Sequence, residues 1–146
     1  MDSDRYVGRD MKRVSNCIRR AFSGRCKDVY GDEITTSNCW LLMYLFDHDG
    51  EDVFQKDIEE KFYIRRSTSS SIISLLEKKG YIERVSVERD ARLKKLVLTQ
   101  KALEICDEVN KRTIEFEDSL TKGIPEDKLD IFYEVLAKVQ KNAESQ

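Results

Sequence analysis

Residues that interrupt helices, and residues that usually hold metals, are scarce in this chain. Pro125 is its one proline, His48 is its one histidine, and glycine occurs six times among 146 residues. Because proline and glycine are the commonest helix breakers, their scarcity favours long helices. A single histidine leaves cysteine-based catalysis without its usual partner and a zinc site without its usual ligands. We therefore expect no enzymatic activity, no metal and no cofactor.

Long apolar runs are also missing. No stretch approaches the roughly 18 apolar residues of a membrane span. Residues 1–10 are charged and have no apolar core of the kind found in secretion signals. We expect a cytoplasmic protein with no membrane partner, in which cysteines without C-x-x-C pairs or metal-like spacing are free thiols. These cysteines are Cys17, Cys26, Cys39 and Cys106.

Charged residues are abundant, and they are unevenly distributed. Residues 61–101 carry 11 basic and 4 acidic side chains, a balance of +7. Residues 1–60 carry 9 and 13, a balance of −4, and residues 102–146 carry 6 and 11, a balance of −5, so the net charge is −2. A localised basic block suits duplex DNA, because phosphate contacts are local and release counterions. The alternative interpretation of the charges is a solvated face.

Hydrophobic periodicity predicts six helices. Their expected bounds are 6–30, 37–46, 55–62, 67–79, 99 to about 122, and 126–143. Thr35 or Thr36 is the candidate N-cap of the second helix, Ser67 is that of the fourth, and Gly80 is a natural end for the fourth. The expected buried stripe of the fourth helix consists of Ile72, Ile73, Leu75 and Leu76.

Residues 81–99 alternate between apolar and charged positions, which is the pattern of a β-hairpin. The charged tip at residues 88–92 predicts a loop longer than a tight turn. Val53 and Phe54 are candidates for a short additional strand. Two short helices followed by a hairpin describe a winged helix-turn-helix. We therefore expect a mainly α protein with a small β-hairpin wing.

The start of the fourth helix is where we expect contact with DNA. Five consecutive hydroxyl residues are a poor choice for a helix with only a structural role, and hydroxyls bind phosphates and base edges. The alternative is a cap at Ser67 followed by a solvated face. Ser69, Ser70 and Ser71 are expected to face the major groove. The full set of expected DNA-binding residues is Arg65, Arg66, Ser67, Thr68, Ser69, Ser70 and Ser71, together with Arg89, Asp90, Arg92, Lys94 and Lys95 in the hairpin.

The later helices indicate packing against further helices. Ala102, Val109 and Phe116 fall seven residues apart, which predicts a seam against another helix. We expect that so small a domain cannot bury this seam alone, and that the chain is a homodimer. The last helix is expected to carry one apolar face, made of Leu129, Phe132, Tyr133, Leu136 and Val139.

These segments resemble the MarR family of bacterial transcriptional regulators. The resemblance runs from about residue 34 to 105, roughly half of the chain, and it is fairly specific because all pieces occur in order. The pieces are TS at 36–37, DI at 57–58, ST at 67–68, LEKKGYIER at 76–84, DAR at 90–92 and LTQK at 98–101. Two positions depart from the family. Ser71 stands where many members have a basic residue, so the target sequence cannot be inferred, and Ala102 replaces the usual glycine.

The resemblance implies a homodimer whose terminal helices interlock, bound to a pseudo-palindromic operator in double-stranded DNA. Residues 34–99 would form the DNA-binding winged helix, and residues 1–30 and 100–146 the dimerisation region. Arg92 at the wing tip would enter the minor groove, and Asp90 would hold its guanidinium. The expected function is transcriptional regulation, most simply repression, at the nucleoid of a bacterial or archaeal cell.

The resemblance also implies an effector. Small phenolic or otherwise lipophilic anions often release such regulators from DNA, and they bind in a crevice between the DNA-binding lobe and the dimer helices. Aromatic side chains are candidates to line that crevice, although an aromatic stripe is more often part of a core. The candidates are Tyr6, Phe22, Trp40 and Tyr44.

Two alternatives stay open at this point. One is a thiol switch at Cys17, which lies near Arg13, Arg19 and Arg20 in sequence, since cationic neighbours lower the pKa of a reactive thiol. The other is a winged helix that binds protein or RNA. A salt-dependent shift of a labelled duplex, absent for single strands, would separate DNA binding from this second alternative.

Overall fold

The structure, a computed structural model, describes residues 5–146 as six helices and one hairpin. The elements in chain order are α1 (Val7–Tyr30), α2 (Thr36–Asp47), α3 (Gln55–Phe62), α4 (Arg66–Lys78), β1 (Ile82–Val87), β2 (Asp90–Leu98), α5 (Gln100–Thr121) and α6 (Glu126–Glu144). The expected fold class, mainly α with a hairpin wing, is confirmed, and each helix bound agrees with its prediction to within one residue. The chain divides into two compact units, Met1–Arg112 and Thr113–Gln146.

Local capping explains where the helices of the first unit begin and end. Thr35 is the N-cap of α2, because its side chain accepts a hydrogen bond from the Asn38 amide at 3.2 Å. Asp57 caps α3 by accepting from the Phe54 amide at 2.8 Å. Tyr63 ends α3 in the left-handed conformation at φ 51°, which makes the tight turn into α4. Gly80, at φ 78°, follows α4 as predicted.

The buried stripe of α4 differs from the prediction. Ser69, Ile73 and Leu76 are fully buried, at positions i, i+4 and i+7 of one helix face. Leu75 is 40% exposed, and Ile72 is only half-buried. The prediction of an all-apolar stripe that includes Leu75 is wrong, because residues adjacent in a helix point about 100° apart. A serine therefore occupies one of the buried positions, and a leucine lies on the outer surface.

The wing is a two-stranded antiparallel hairpin with a tighter tip than predicted. Its register runs from Ile82↔Leu98 to Ser86↔Lys94 and then shifts to Val87↔Asp90. The turn at residues 88–89 is thus tight, and the extra residues 91–93 form an irregularity within β2. In place of the predicted short strand there is an isolated bridge, in which Phe54 pairs with Lys95 and the Val53 carbonyl accepts from the Leu96 amide at 2.7 Å.

The seam of α5 is buried within one chain. Ala102 and Val109 are fully buried in the first unit, and Phe116 is 3% exposed. The expectation that this seam needs a second chain is wrong, because a single chain already removes it from solvent. Arg112 ties α5 to α1, with Nη1 at 2.6 Å from Asp28 Oδ1 and 2.6 Å from the Arg25 carbonyl.

The last helix, α6, is largely exposed to solvent. No residue of α6 is buried. Phe132 is 54% exposed and Tyr133 is 60% exposed, and their rings contact each other edge to face at 5.5 Å. Leu129, Leu136 and Val139, the other members of the predicted face, are half-buried. Nowhere in residues 5–146 is there a helix both long enough and apolar enough to cross a membrane.

Candidate nucleic-acid interface

The outer face of α4 is polar and accessible. Arg66, Ser67, Thr68, Ser71 and Lys78 are all exposed on this helix. Arg65 precedes them as the N-cap residue and is exposed too. The prediction that Ser67 caps the helix is wrong. Because the helix begins one residue earlier, at Arg66, the Ser67 side chain lies in the first turn, on the accessible surface.

Ser69 is the member of the hydroxyl run that does not reach this surface. It is fully buried, and its hydroxyl donates to Glu59 Oε1 at 2.6 Å. The Ser69 Oγ atom also accepts a hydrogen bond from Gln55 Nε2 at 3.0 Å. The prediction that Ser69 faces the major groove is wrong, because the turn geometry of α4 points this residue at α3. Its hydroxyl satisfies a polar contact between the two helices of the helix-turn-helix.

A basic cleft joins the recognition helix to the wing. It measures about 480 Å³ and lies between the starts of α3 and α4 and the strands of the hairpin. Arg66, Arg92 and Lys94, three of the predicted DNA-binding residues, line it together. Sequence reasoning missed two further basic residues in its lining, Lys56 and Arg84. Glu59 is the acidic residue among the lining side chains.

The alternation of side chains along β2 explains why Lys95, one of the predicted DNA-binding residues, lies outside the cleft. Lys94 and Lys95 are neighbours and therefore point to opposite faces of the hairpin. Lys95 Nζ lies 3.1 Å from Asp52 Oδ1, and Lys95 is not part of the cleft lining. Grouping Lys95 with Lys94 in one DNA-binding surface was therefore wrong. The alternation of side chains along a strand was the sequence signal that separates these two lysines. It also places Arg84 on the same face as Lys94, because Arg84 lies two residues before Ser86, the cross-strand partner of Lys94.

The wing tip is held by contacts other than the predicted ones. Asp90 Oδ1 accepts a hydrogen bond from the backbone amide of Arg92 at 2.9 Å. Asp90 therefore fixes the main chain of the tip, and within residues 5–146 it forms no ion pair with the Arg92 guanidinium, which corrects the predicted role. The Arg92 side chain is exposed. The Arg89 guanidinium lies over the Phe54 ring, 5.5 Å from its centroid.

The four aromatic residues proposed for an effector site differ in their burial and in their contacts. Phe22 is buried in the core, and Tyr44 packs on His48 and Phe62, with ring centroids 4.1 and 5.8 Å away. Tyr6 is the exposed N-cap of α1, and Trp40 is 40% exposed. A shared aromatic crevice therefore stays a prediction.

A different cleft, of about 510 Å³, lies between the second half of α1 and the start of α2. Three cationic side chains line it, together with Tyr30 and the polar residues that begin α2. The Tyr30 hydroxyl is buried and has no hydrogen-bond partner in the described chain. Burial raises the pKa of Tyr30, and the nearby Thr36 side chain opposes this without reaching hydrogen-bond geometry. The cationic lining residues are Arg19, Arg20 and Lys27.

The cysteines are free thiols, as predicted, but they differ in accessibility. Cys17 is exposed on α1, whereas Cys26, Cys39 and Cys106 are buried. Burial raises the pKa of both Cys39 and Cys106 to about 12, and it also raises the pKa of Cys26. These three thiols stay protonated near neutral pH and are therefore poor nucleophiles. Among residues 5–146, no group of three or more side chains is arranged to hold a metal ion.

A helix-turn-helix followed by a basic hairpin, with arginines of both facing one cleft, defines a winged-helix protein of the DNA-binding type. The model of the MarR family matches residues 33–93, which cover α2, α3, α4 and most of the wing. A curated relative, the uncharacterised HTH-type transcriptional regulator YybA of Bacillus subtilis, is 22% identical over 136 residues. That alignment covers 92% of this chain and 89% of YybA.

Solved structures agree with the match over the whole fold. S. aureus MepR, solved as a DNA complex, has a TM-score of 0.87 at 19% identity, covering 97% of this chain and 99% of its own. The PcaV transcriptional regulator from Streptomyces coelicolor, solved with its natural ligand, has a TM-score of 0.77 at 20% identity, covering 98% and 97%. The winged-helix segment of this chain matches the MarR family, and its whole fold is similar to those of solved transcriptional regulators.

Proposed function

We propose that this chain is a sequence-specific repressor that binds a pseudo-palindromic operator as a homodimer and is released by a small anion. The observation that carries the DNA-binding mode is the shared basic cleft. It places Arg66 of the recognition helix beside Arg92 and Lys94 of the wing. One phosphate strand can then be contacted by both elements, while the exposed face of α4 enters the major groove. Such a regulator would act at the nucleoid of a bacterial or archaeal cell.

Removing the wing arginine tests this mode. Arg92→Ala is expected to weaken duplex binding by about 1–3 kcal/mol, the usual loss for one groove-inserted arginine. The melting temperature should stay nearly unchanged, because Arg92 is exposed at the wing tip. Fluorescence anisotropy with a labelled duplex, at several salt concentrations, measures the affinity and its salt dependence.

Lys95→Ala is the matched control for this test. It removes the same charge from the same strand, but on the face that pairs with Asp52. We expect its affinity to stay within a few tenths of a kcal/mol of wild type. Equal losses in both variants would show that binding follows total charge rather than the cleft. Equal binding of single strands would instead favour the RNA-binding alternative.

Several exposed apolar side chains favour a second copy of this chain as the partner. Large apolar residues are exposed at the start of α1, at Tyr6, Val7 and Val14, and along α6, at Phe132 and Tyr133. Apolar surface of this kind marks interaction sites in soluble proteins. These side chains, rather than the α5 seam, support the homodimer.

The cleft between α1 and α2 supports the proposed effector site. Its lining carries three cations and one acid, Asp32, which pairs with Lys27 at 3.3 Å, so the charge balance favours an anion. Tyr30 also lines it, and its hydroxyl, which has no hydrogen-bond partner in the described chain, is a polar group that a bound ligand can satisfy. The effector class we propose is a small aromatic carboxylate or phenolate. A redox signal through the exposed Cys17 stays the alternative, and Cys17→Ser should then abolish release by oxidant while leaving release by the anion intact.

Thermal shift measurements with benzoate and its hydroxylated derivatives test the cleft. A ligand at about 100 times its Kd adds about 2.7 kcal/mol to the free energy of unfolding. We expect Tyr30→Phe to weaken binding about tenfold, the effect of about 1.4 kcal/mol. Tyr44→Phe, which lies outside the cleft lining, is the control and should keep wild-type affinity. An unchanged affinity in Tyr30→Phe would remove this hydroxyl from the site.

A further inference from the structure

A small hydrogen-bond network connects α3 to the hydroxyl run of α4. The Gln55 carboxamide nitrogen lies 3.1 Å from Glu59 Oε1, 3.0 Å from Ser69 Oγ and 2.8 Å from Ser70 Oγ. Ser69 also donates to Glu59 at 2.6 Å. The Glu59 pKa is lowered, first by the Ser69 hydrogen bond and then by Gln55 and the charge of Arg66. Glu59 is therefore an ionised acceptor at neutral pH.

An ionised carboxylate fixes the orientation of the Gln55 amide. It can only accept, so the Gln55 amide must turn its NH₂ group, not its carbonyl, towards Glu59. That nitrogen has two protons, and its shortest contact is the one to Ser70. The Ser70 oxygen therefore accepts from Gln55. The Ser70 proton stays available for an acceptor outside the chain, because the Ser70 hydroxyl donates to no group in the described part of the chain.

The neighbouring hydroxyl has the opposite arrangement. Ser71 donates its proton to the Ser67 carbonyl at 3.0 Å, which leaves its oxygen as an acceptor. A serine hydroxyl that is free to rotate both donates and accepts, and it discriminates bases poorly for that reason. Two adjacent serines on the recognition helix therefore differ: Ser70 keeps its proton for a further acceptor, whereas Ser71 has already donated its proton. Their difference comes from the surrounding protein and not from their own chemistry.

We propose that Gln55, oriented by Glu59, is a positioning residue that holds Ser70 as a hydrogen-bond donor towards DNA. Ser70 then selects an acceptor atom: guanine O6, a purine N7, thymine O4 or a phosphate oxygen. This rests on the proposed binding of α4 in the major groove. The sequence alone does not say whether Ser70 donates to DNA or accepts from it, whereas this proposal makes Ser70 the donor. It also makes Gln55, a residue of α3, a determinant of operator preference.

The test compares Gln55→Met, which keeps the side-chain length and removes the donor, with Ser70→Ala. An operator is first selected from a random duplex pool with the wild-type protein. Each variant is then measured against every single-base variant of that operator. We expect both variants to lose about fivefold at the same base pair, the effect of one neutral hydrogen bond. Ser70→Ala placed in the Gln55→Met background should add no further loss there.

The pattern of losses identifies the acceptor. A loss confined to one base pair indicates a base acceptor, and an equal loss in both variants at all sequences indicates a phosphate oxygen. Ser71→Ala is the control, because Gln55→Met should leave the preference that Ser71 sets unchanged. Circular dichroism melts confirm folding at the assay temperature. If Gln55→Met does not fold, Gln55→Ala replaces it, since alanine also lacks the donor to Ser70 and favours the helix.

Two results would overturn the proposal. A change of base preference in Ser70→Ala without the same change in Gln55→Met would show that Gln55 does not direct Ser70. Wild-type binding by Ser70→Ala at every sequence would show that Ser70 does not contact DNA. In both cases the wild-type protein still binds its selected duplex, so the proposed function stands. Failure of the wild type to enrich any duplex would instead contradict the proposed function itself.

Discussion

Phe132→Glu is expected to convert the protein from a dimer to a monomer and to abolish operator binding at concentrations where the wild type is saturated. Phe132 is more than half exposed on a helix with no buried residue. Burying such a ring contributes roughly 1.5–3 kcal/mol. In a two-fold symmetric interface the substitution occurs twice, and it places two charges in an apolar contact. We expect the dimer Kd to rise at least about a hundredfold.

Light scattering measures the result directly. The wild type should give about twice the chain mass of 17.1 kDa, and Phe132→Glu should give the chain mass itself. Lys141→Glu is the control, since nine residues along a helix place it on the side opposite Phe132. It also changes a charge on α6, and it should remain dimeric. A wild-type protein that is monomeric at micromolar concentration, or a dimeric Phe132→Glu, would remove α6 from the interface.

Ser69→Ala is expected to destabilise the fold, although its position in the hydroxyl run suggests a base contact. The substitution leaves Glu59 without its 2.6 Å donor and Gln55 without one of its acceptors, in a fully buried position. Losing a buried hydroxyl with such partners costs about 1–2 kcal/mol. For a chain of this size that lowers the melting temperature by roughly 5 °C. Ser71→Ala, on the exposed face, should leave the melting temperature unchanged.

The pH dependence of this loss provides a second measurement. The pKa of Glu59 is lowered in the folded protein below its ordinary value of 4.5, mainly by the Ser69 hydroxyl. A carboxyl with a lowered folded pKa stabilises the fold above its unfolded pKa, and the stabilisation is lost as the pH falls through the folded pKa. The difference between wild type and Ser69→Ala should be full at pH 7 and shrink below about pH 4.5. A pH-independent difference would assign the loss to packing.

The winged helix was accessible from sequence because it depends on local patterns. Helical and alternating periodicities, the caps at Thr35 and Gly80, and the ordered motif pieces all lie within short segments. The basic block at residues 61–101 indicated where DNA contact would occur. Of the predicted contact residues, Arg66, Arg92 and Lys94 meet in one cleft, and Arg66 and Arg92 lie beside or within a recognised motif.

The errors arose where the direction of a side chain decides its role. Ser69 and Ser71 are two residues apart in one polar run, yet one is buried against Glu59 and the other is exposed. Lys94 and Lys95 are identical neighbours, yet they lie on opposite faces of β2. Composition treats each pair as equivalent, whereas helix and strand geometry separate them.

The sequence by itself determined the elements, their order, the family resemblance and the segment that carries the positive charge, because these follow from periodicity and motifs along the chain. Only the tertiary structure decided which residues share a surface. It buried the α5 seam within one chain, left Phe132 and Tyr133 on α6 uncovered, and placed Tyr30 in the lining of a cationic cleft. These outcomes depend on contacts between residues far apart in sequence, and local pattern carries no information about which distant side chain will cover a given face.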